Sequence, residues 1–153
     1  MGSFGPGGIS PTVKTLIIVC SVVFLLQQFD SIAGGGAFIS NFGLVPLQVT
    51  HHGYLWQLVT YIFLHGGLFH ILFNMLGLWM FGTDLERLWG RKAFTRFFFL
   101  CGVGGGLFKV LLNPSLPYPT VGASGAILGL LVAFRAAVIG SKAKRRSDGN
   151  QCN

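Results

Sequence analysis

Residues able to carry out acyl transfer occur in two short stretches of this 153-residue chain. Thr120-Val121-Gly122-Ala123-Ser124-Gly125-Ala126 brackets a serine with glycines, which clear bulk so that a substrate backbone can reach its hydroxyl. At a helix start the Ser124 N–H would also be unpaired. Leu68-Phe69-His70-Ile71-Leu72-Phe73-Asn74 places His70 and Asn74 four apart, on one helical face, where both can donate toward one point. A serine attacking a carbonyl creates an oxyanion that needs such preorganised donors. Each stretch also has a plain structural reading. Gly125 and Gly129 form a Gly-x-x-x-Gly spacing for close helix approach, and His70 with Asn74 could join helices by hydrogen bonds worth about 1 kcal/mol. The Gly-x-Ser-x-Gly spacing of a soluble nucleophile elbow fails at Ala126.

The elements that must position these residues are membrane spans. The chain is 52% hydrophobic and 10% charged, against about 45–50% and about 25% in soluble domains. Disorder is excluded, and too little charge remains to cover a water-soluble core. The composition therefore predicts an all-α, multi-pass transmembrane bundle with four spans: 13–29, 67–82, 97–112 and 121–140, each near the roughly 17–25 residues that cross a bilayer. Lys14 precedes the first span, Arg87, Arg91, Lys92 and Arg96 lie between the second and third, and Lys142, Lys144, Arg145 and Arg146 follow the fourth. Those sides read as cytoplasmic, including the N-terminal segment 1–12, in a plasma membrane or a bacterial inner membrane. Lys109 and Arg135 must snorkel or line the interior. The +7 net charge is then a topology signal rather than a nucleic-acid footprint.

Other features are less specific. Lys14, the apolar run 16–26 and Ser31-Ile32-Ala33-Gly34 also fit a cleavable signal peptide. The loop with Pro46, His51, His52 and Gly53 is apolar enough to lie in the interface as a partly buried lid, its two histidines being surface residues. Cys20, Cys101 and Cys152 show neither disulfide nor metal spacing, so no metal site is expected.

From about Tyr54 to Phe134 the chain resembles the rhomboid family of intramembrane serine proteases, on three motifs: His65-Gly66-Gly67-Leu68-Phe69-His70 through Asn74; Phe81-Gly82-Thr83-Asp84-Leu85-Glu86-Arg87-Leu88-Trp89-Gly90; and Gly122-Ala123-Ser124-Gly125. The resemblance implies Ser124 as nucleophile, His70 and Asn74 as oxyanion stabilisers, His65 as a structural or substrate-side histidine, and Glu86 as the residue that fixes a helix end. It also implies a transmembrane protein substrate, a lipid bilayer as environment and no cofactor. Trp56-Gln57 resembles the family's Trp-Arg loop motif, but Gln57 replaces the arginine and puts a loop contact in doubt.

The family completes its dyad with a histidine on a sixth helix, whereas here no histidine follows His70. A serine hydroxyl without a base is a weak nucleophile, so the chain as it stands is expected to be inactive. The rhomboid-like membrane domain is accordingly read as 13–134 and incomplete. Residues 135–153 form a basic tail that departs from the family pattern, read as out of frame or truncated, with a headgroup-binding tail as the alternative. The functional alternative is a non-catalytic relative that binds transmembrane helices.

Overall fold

A computed structural model describes the backbone of residues 8–150 and the side chains of residues 8–142. Cys152 and the side chains of Lys144, Arg145 and Arg146 lie outside the described residues. Four long helices form a bundle: α1 (Pro11–Ile32), α5 (Leu68–Trp89), α6 (Arg91–Leu112) and α7 (Ser124–Asn150). All of α1, α5 and α6, and α7 as far as Lys142, are long and apolar enough to cross a membrane. Three short helices, α2 (Ala37–Phe42), α3 (Pro46–His52) and α4 (Gln57–Thr60, running into a 3-10 turn Tyr61–Phe63), make a layer across one end.

The four spans stand, and two of their boundaries move furthest. The second span does not stop at Gly82. It passes through a π turn, Leu78–Gly82, and continues to Trp89, carrying Asp84, Glu86 and Arg87 on the helix. The third begins at Arg91, so Arg91, Lys92 and Arg96 occupy its first turns instead of a loop. The connection is Gly90 alone, at φ 80°, which glycine adopts without penalty. Apolarity ends before the helix does, because long charged side chains in a terminal turn can reach the headgroup region.

Lipid is as apolar as leucine, so the helices associate through close packing and hydrogen bonds rather than hydrophobic burial. A Cβ on Gly105 would stand 3.6 Å from the Gly125 Cα, and one on Gly129 would collide with Cys101 Sγ. The Gly125/Gly129 spacing thus seats α7 against α6. A Cβ on Gly77 would meet Ile127 at 2.8 Å, bringing α5 onto α7. Val13, Leu78, Leu85, Phe94, Phe98 and Leu130 fill the centre, while Leu25, Phe73, Leu100 and Val132 face outward, toward lipid.

The end layer is built rather than loose. Leu44 and Thr120 exchange backbone hydrogen bonds of 2.9 and 2.8 Å. Gln57 is fully buried: its Oε1 accepts from Val45 N (3.0 Å), and its Nε2 donates to Gln48 Oε1 (2.6 Å) and Asn41 O (3.3 Å). The glutamine is therefore the hub of the loop. Trp56 stacks on Tyr54 with ring centroids 4.4 Å apart and donates from Nε1 to Asn41 O. His51 and His52 are exposed.

At the opposite end, Glu86 ties α5 to α1. Its buried carboxylate accepts hydrogen bonds from Ser10 Oγ and from the backbone N–H groups of Thr12 (3.0 Å) and Val13 (3.1 Å), capping the unpaired donors of the first turn of α1. The carboxylate thus reaches across the bundle to another helix. Glu86→Ala is expected to destabilise the bundle by about 2 kcal/mol or more, the scale of hydrogen bonds to a charged group, with Glu86→Asp recovering little because of its shorter reach. Thermal unfolding of the detergent-solubilised protein checks this; an unchanged midpoint in Glu86→Ala would contradict the capping role.

Candidate active site

The histidine of α5 and the serine of α7 start from adjacent first turns. Gly67 precedes α5, and its carbonyl accepts the Ile71 N–H at 3.1 Å, placing His70 in the opening turn. The chain reaches α7 through Gly122, at φ 117°, a conformation suited to glycine, with the Gly122 N–H donating to the Tyr61 carbonyl at 2.9 Å. A Cβ on Gly122 would stand 2.6 Å from His70 Cε1 and 2.7 Å from His70 Nε2. The imidazole therefore lies directly on the glycine two residues before Ser124.

Hydrogen bonding assigns the His70 tautomer. The Gly66 N–H donates to His70 Nδ1 at 3.3 Å, so Nδ1 accepts and Nε2 carries the proton, toward the Gly122 side. Ser124 is exposed at the first position of α7, and its hydroxyl has no hydrogen-bond partner among the described residues. Asn74 is buried one turn deeper and donates from Nδ2 to the His70 carbonyl at 2.7 Å. The structure thus brings His70 to the glycine before the serine, while no hydrogen bond links Asn74 to Ser124. Gly125 faces α6, near the Tyr61 hydroxyl.

His65 is 1% exposed, its ring edge-on to that of His70 with centroids 5.4 Å apart. Its Nδ1–H donates to the Phe63 carbonyl at 3.2 Å, leaving Nε2 buried without a partner. Burial, with repulsion from His70, pushes its pKa from the ordinary 6.5 to about 4. Two residues that the sequence reading passed over hold this region. Gln27 of α1, 3% exposed, accepts from the His65 N–H (3.0 Å) and donates to the His65 carbonyl (3.1 Å). Tyr61 donates from its hydroxyl to the Gly102 carbonyl at 2.6 Å, tying the Gly122 support to α6. Gln27 had a signal, an amide within a mostly apolar span, though the adjacent Gln28 carries the same one. Tyr61 had none.

Residues 52–148 match the family described as Rhomboid domain. Among curated proteins, the chain is 34% identical over 125 residues to "Rhomboid protease GluP" of Bacillus subtilis, covering 81% of this chain and 24% of that protein. It is 38% identical over 97 residues to "Putative rhomboid protease YdcA" of the same organism, covering 60% and 48%. It is also 31% identical over 96 residues to "Inactive RHOMBOID-like protein 8" of Arabidopsis thaliana, covering 63% and 27%. The chain thus spans between about a quarter and a half of the length of these relatives.

Two expectations follow. Gly122→Ala should disrupt the His70 contact and strain the backbone together, costing roughly 1–3 kcal/mol; in the histidine NMR spectrum, His70 shifts should move while those of His51 and His52 hold. Between pH 6.5 and about 4 the unfolded chain binds a proton at His65 that the folded chain refuses, so stability should fall as pH falls through that window and level off below it. Thermal midpoints across pH check the sign, and His65→Gln should flatten the slope.

Proposed function

The chain belongs to the rhomboid family, and from that membership we propose that it carries the nucleophile and oxyanion donors of an intramembrane serine endopeptidase acting on transmembrane segments. The observation that carries this reading is the His70 ring seated on Gly122 with its protonated nitrogen on that side. Ser124 Oγ attacks the substrate carbonyl, a C–O bond forms, and the carbonyl electron pair moves onto oxygen. That oxyanion receives hydrogen bonds from His70 Nε2–H and the Ser124 N–H, with the remaining amide hydrogen of Asn74 as a further donor. Collapse breaks the C–N bond, the amine leaves with a proton, and water then hydrolyses the serine ester.

The attack requires a base for the serine proton. His70 spends its lone pair on the Gly66 N–H, and His65, whose Nε2 lone pair is unpartnered, is 1% exposed with its pKa pushed to about 4, so both enter as structural or donor groups. The relative named "Inactive RHOMBOID-like protein 8" supports a second reading, binding of transmembrane helices without cleavage. Lys14, Arg91, Lys92 and Arg96 share one end of the bundle, which the positive-inside rule assigns to the cytoplasm along with the N-terminus, so the serine opens to the opposite side.

A fluorophosphonate probe separates the two readings. The detergent-solubilised chain should label slowly at Ser124, accelerate when concentrated imidazole supplies a base, and lose labelling in Ser124→Ala. His70→Ala should lower the imidazole-assisted rate by about 10²-fold or more, as for loss of an oxyanion donor. Absence of Ser124 labelling with imidazole present would remove the catalytic reading and leave helix binding.

A further inference from the structure

At the end of the bundle opposite Ser124, a cavity of about 370 Å³ opens between α1 and α6, lined by Thr12, Thr15, Arg91, Lys92, Thr95 and Arg96. Three cations from the first turns of α6 converge there with hydroxyls from both helices. The nearest carboxylate is largely engaged: Glu86 caps α1 and lies 3.9 Å from Arg91 Nε. Asp84 faces Arg87 at 3.8 Å. Arg91 Nε also donates to Thr12 Oγ1 at 3.4 Å, which orients the guanidinium across the cavity and leaves the Thr12 hydroxyl hydrogen to donate elsewhere. Thr15 and Thr95 spend their hydroxyl hydrogens on the Pro11 and Arg91 carbonyls. The cavity therefore presents guanidinium, ammonium and one hydroxyl donor, a set suited to a tetrahedral oxyanion.

What lies below the cavity identifies the bearer of that anion. On α6, Lys92 and Arg96 continue at four-residue spacing to Leu100, which is 70% exposed. On α1, Thr15 continues at helical spacing to Ile18 and Val22, about half exposed. On each helix a polar first part, cationic on α6 and hydroxyl-bearing on α1, thus gives way to exposed apolar residues. A free phosphate would use only the first; a phospholipid uses both.

We propose that this cavity is a headgroup site for an anionic membrane phospholipid, the phosphate held by Arg91, Lys92, Arg96 and the Thr12 hydroxyl and the acyl chains lying along Ile18, Val22 and Leu100. The site is independent of the reading of Ser124. It differs from a general cationic rim in having a cavity and converging donors, with exposed apolar residues further along both helices.

The test uses the full chain in detergent with phosphatidylglycerol or phosphatidylcholine, read by native mass spectrometry for retained lipid and by thermal midpoint. Phosphatidylglycerol should stay bound and raise the midpoint, whereas phosphatidylcholine should do neither. The exposed pair Lys92→Gln/Arg96→Gln should weaken retention by roughly tenfold or more, while the charge-matched pair Arg135→Gln/Lys142→Gln on α7 should leave it unchanged. Equal loss in both pairs, or full retention in the first, would overturn the site. Displacement by inorganic phosphate alone, at concentrations that leave the α7 pair unaffected, would overturn the lipid assignment in favour of a free phosphate.

Discussion

A polar group at membrane depth has no water to turn to, and the bundle is organised around that constraint. Buried polar side chains join elements here by meeting backbone groups, several of which, at helix starts and in loops, would otherwise be unpaired. Gln27 satisfies both main-chain groups of His65, Gln57 binds the backbone of Val45 and Asn41, Tyr61 caps a carbonyl of α6, and Glu86 takes the free N–H groups of α1. These contacts locate the helices where hydrophobic burial cannot, since lipid competes equally for every leucine.

Glycine then decides how near the located helices can come. Gly105 and Gly125 let α6 and α7 touch at backbone distance, Gly77 admits Ile127, and Gly122 admits the His70 ring. The π turn in α5 falls between Gly77 and Gly82, so one helix approaches α7 on one side of that turn and packs Val13 and Phe94 on the other. The same small residues that pack the bundle also clear the space before Ser124, so packing and site geometry are one arrangement.

The four spans, the Gly125/Gly129 contact and the shared depth of His70 and Ser124 were legible because apolar runs, small-residue spacing and helix rise are local properties of the chain. The continuation of α5 to Trp89 was not, because charged residues in terminal turns look like a loop by hydropathy alone. Gln57 and Gln27 illustrate a deeper limit. Their roles lie in amide hydrogen bonds to residues 9 to 38 positions away, which only the packed bundle defines. Asn74 shows the converse: its spacing from His70 predicted a common target, and the fold turns it first to the His70 carbonyl.

The cap on α1 also has a bearing on biogenesis. Ser10 and Glu86 are 76 residues apart, so the acceptor for the first turn of α1 does not exist when that helix leaves the ribosome. At about 5–20 residues per second of synthesis, the turn waits roughly 4–15 s with its donors facing water or headgroups. By contrast, α5 and α6 are joined by Gly90 alone and can enter the bilayer as one hairpin, so the insertion that completes α5 also delivers the carboxylate to a helix made long before.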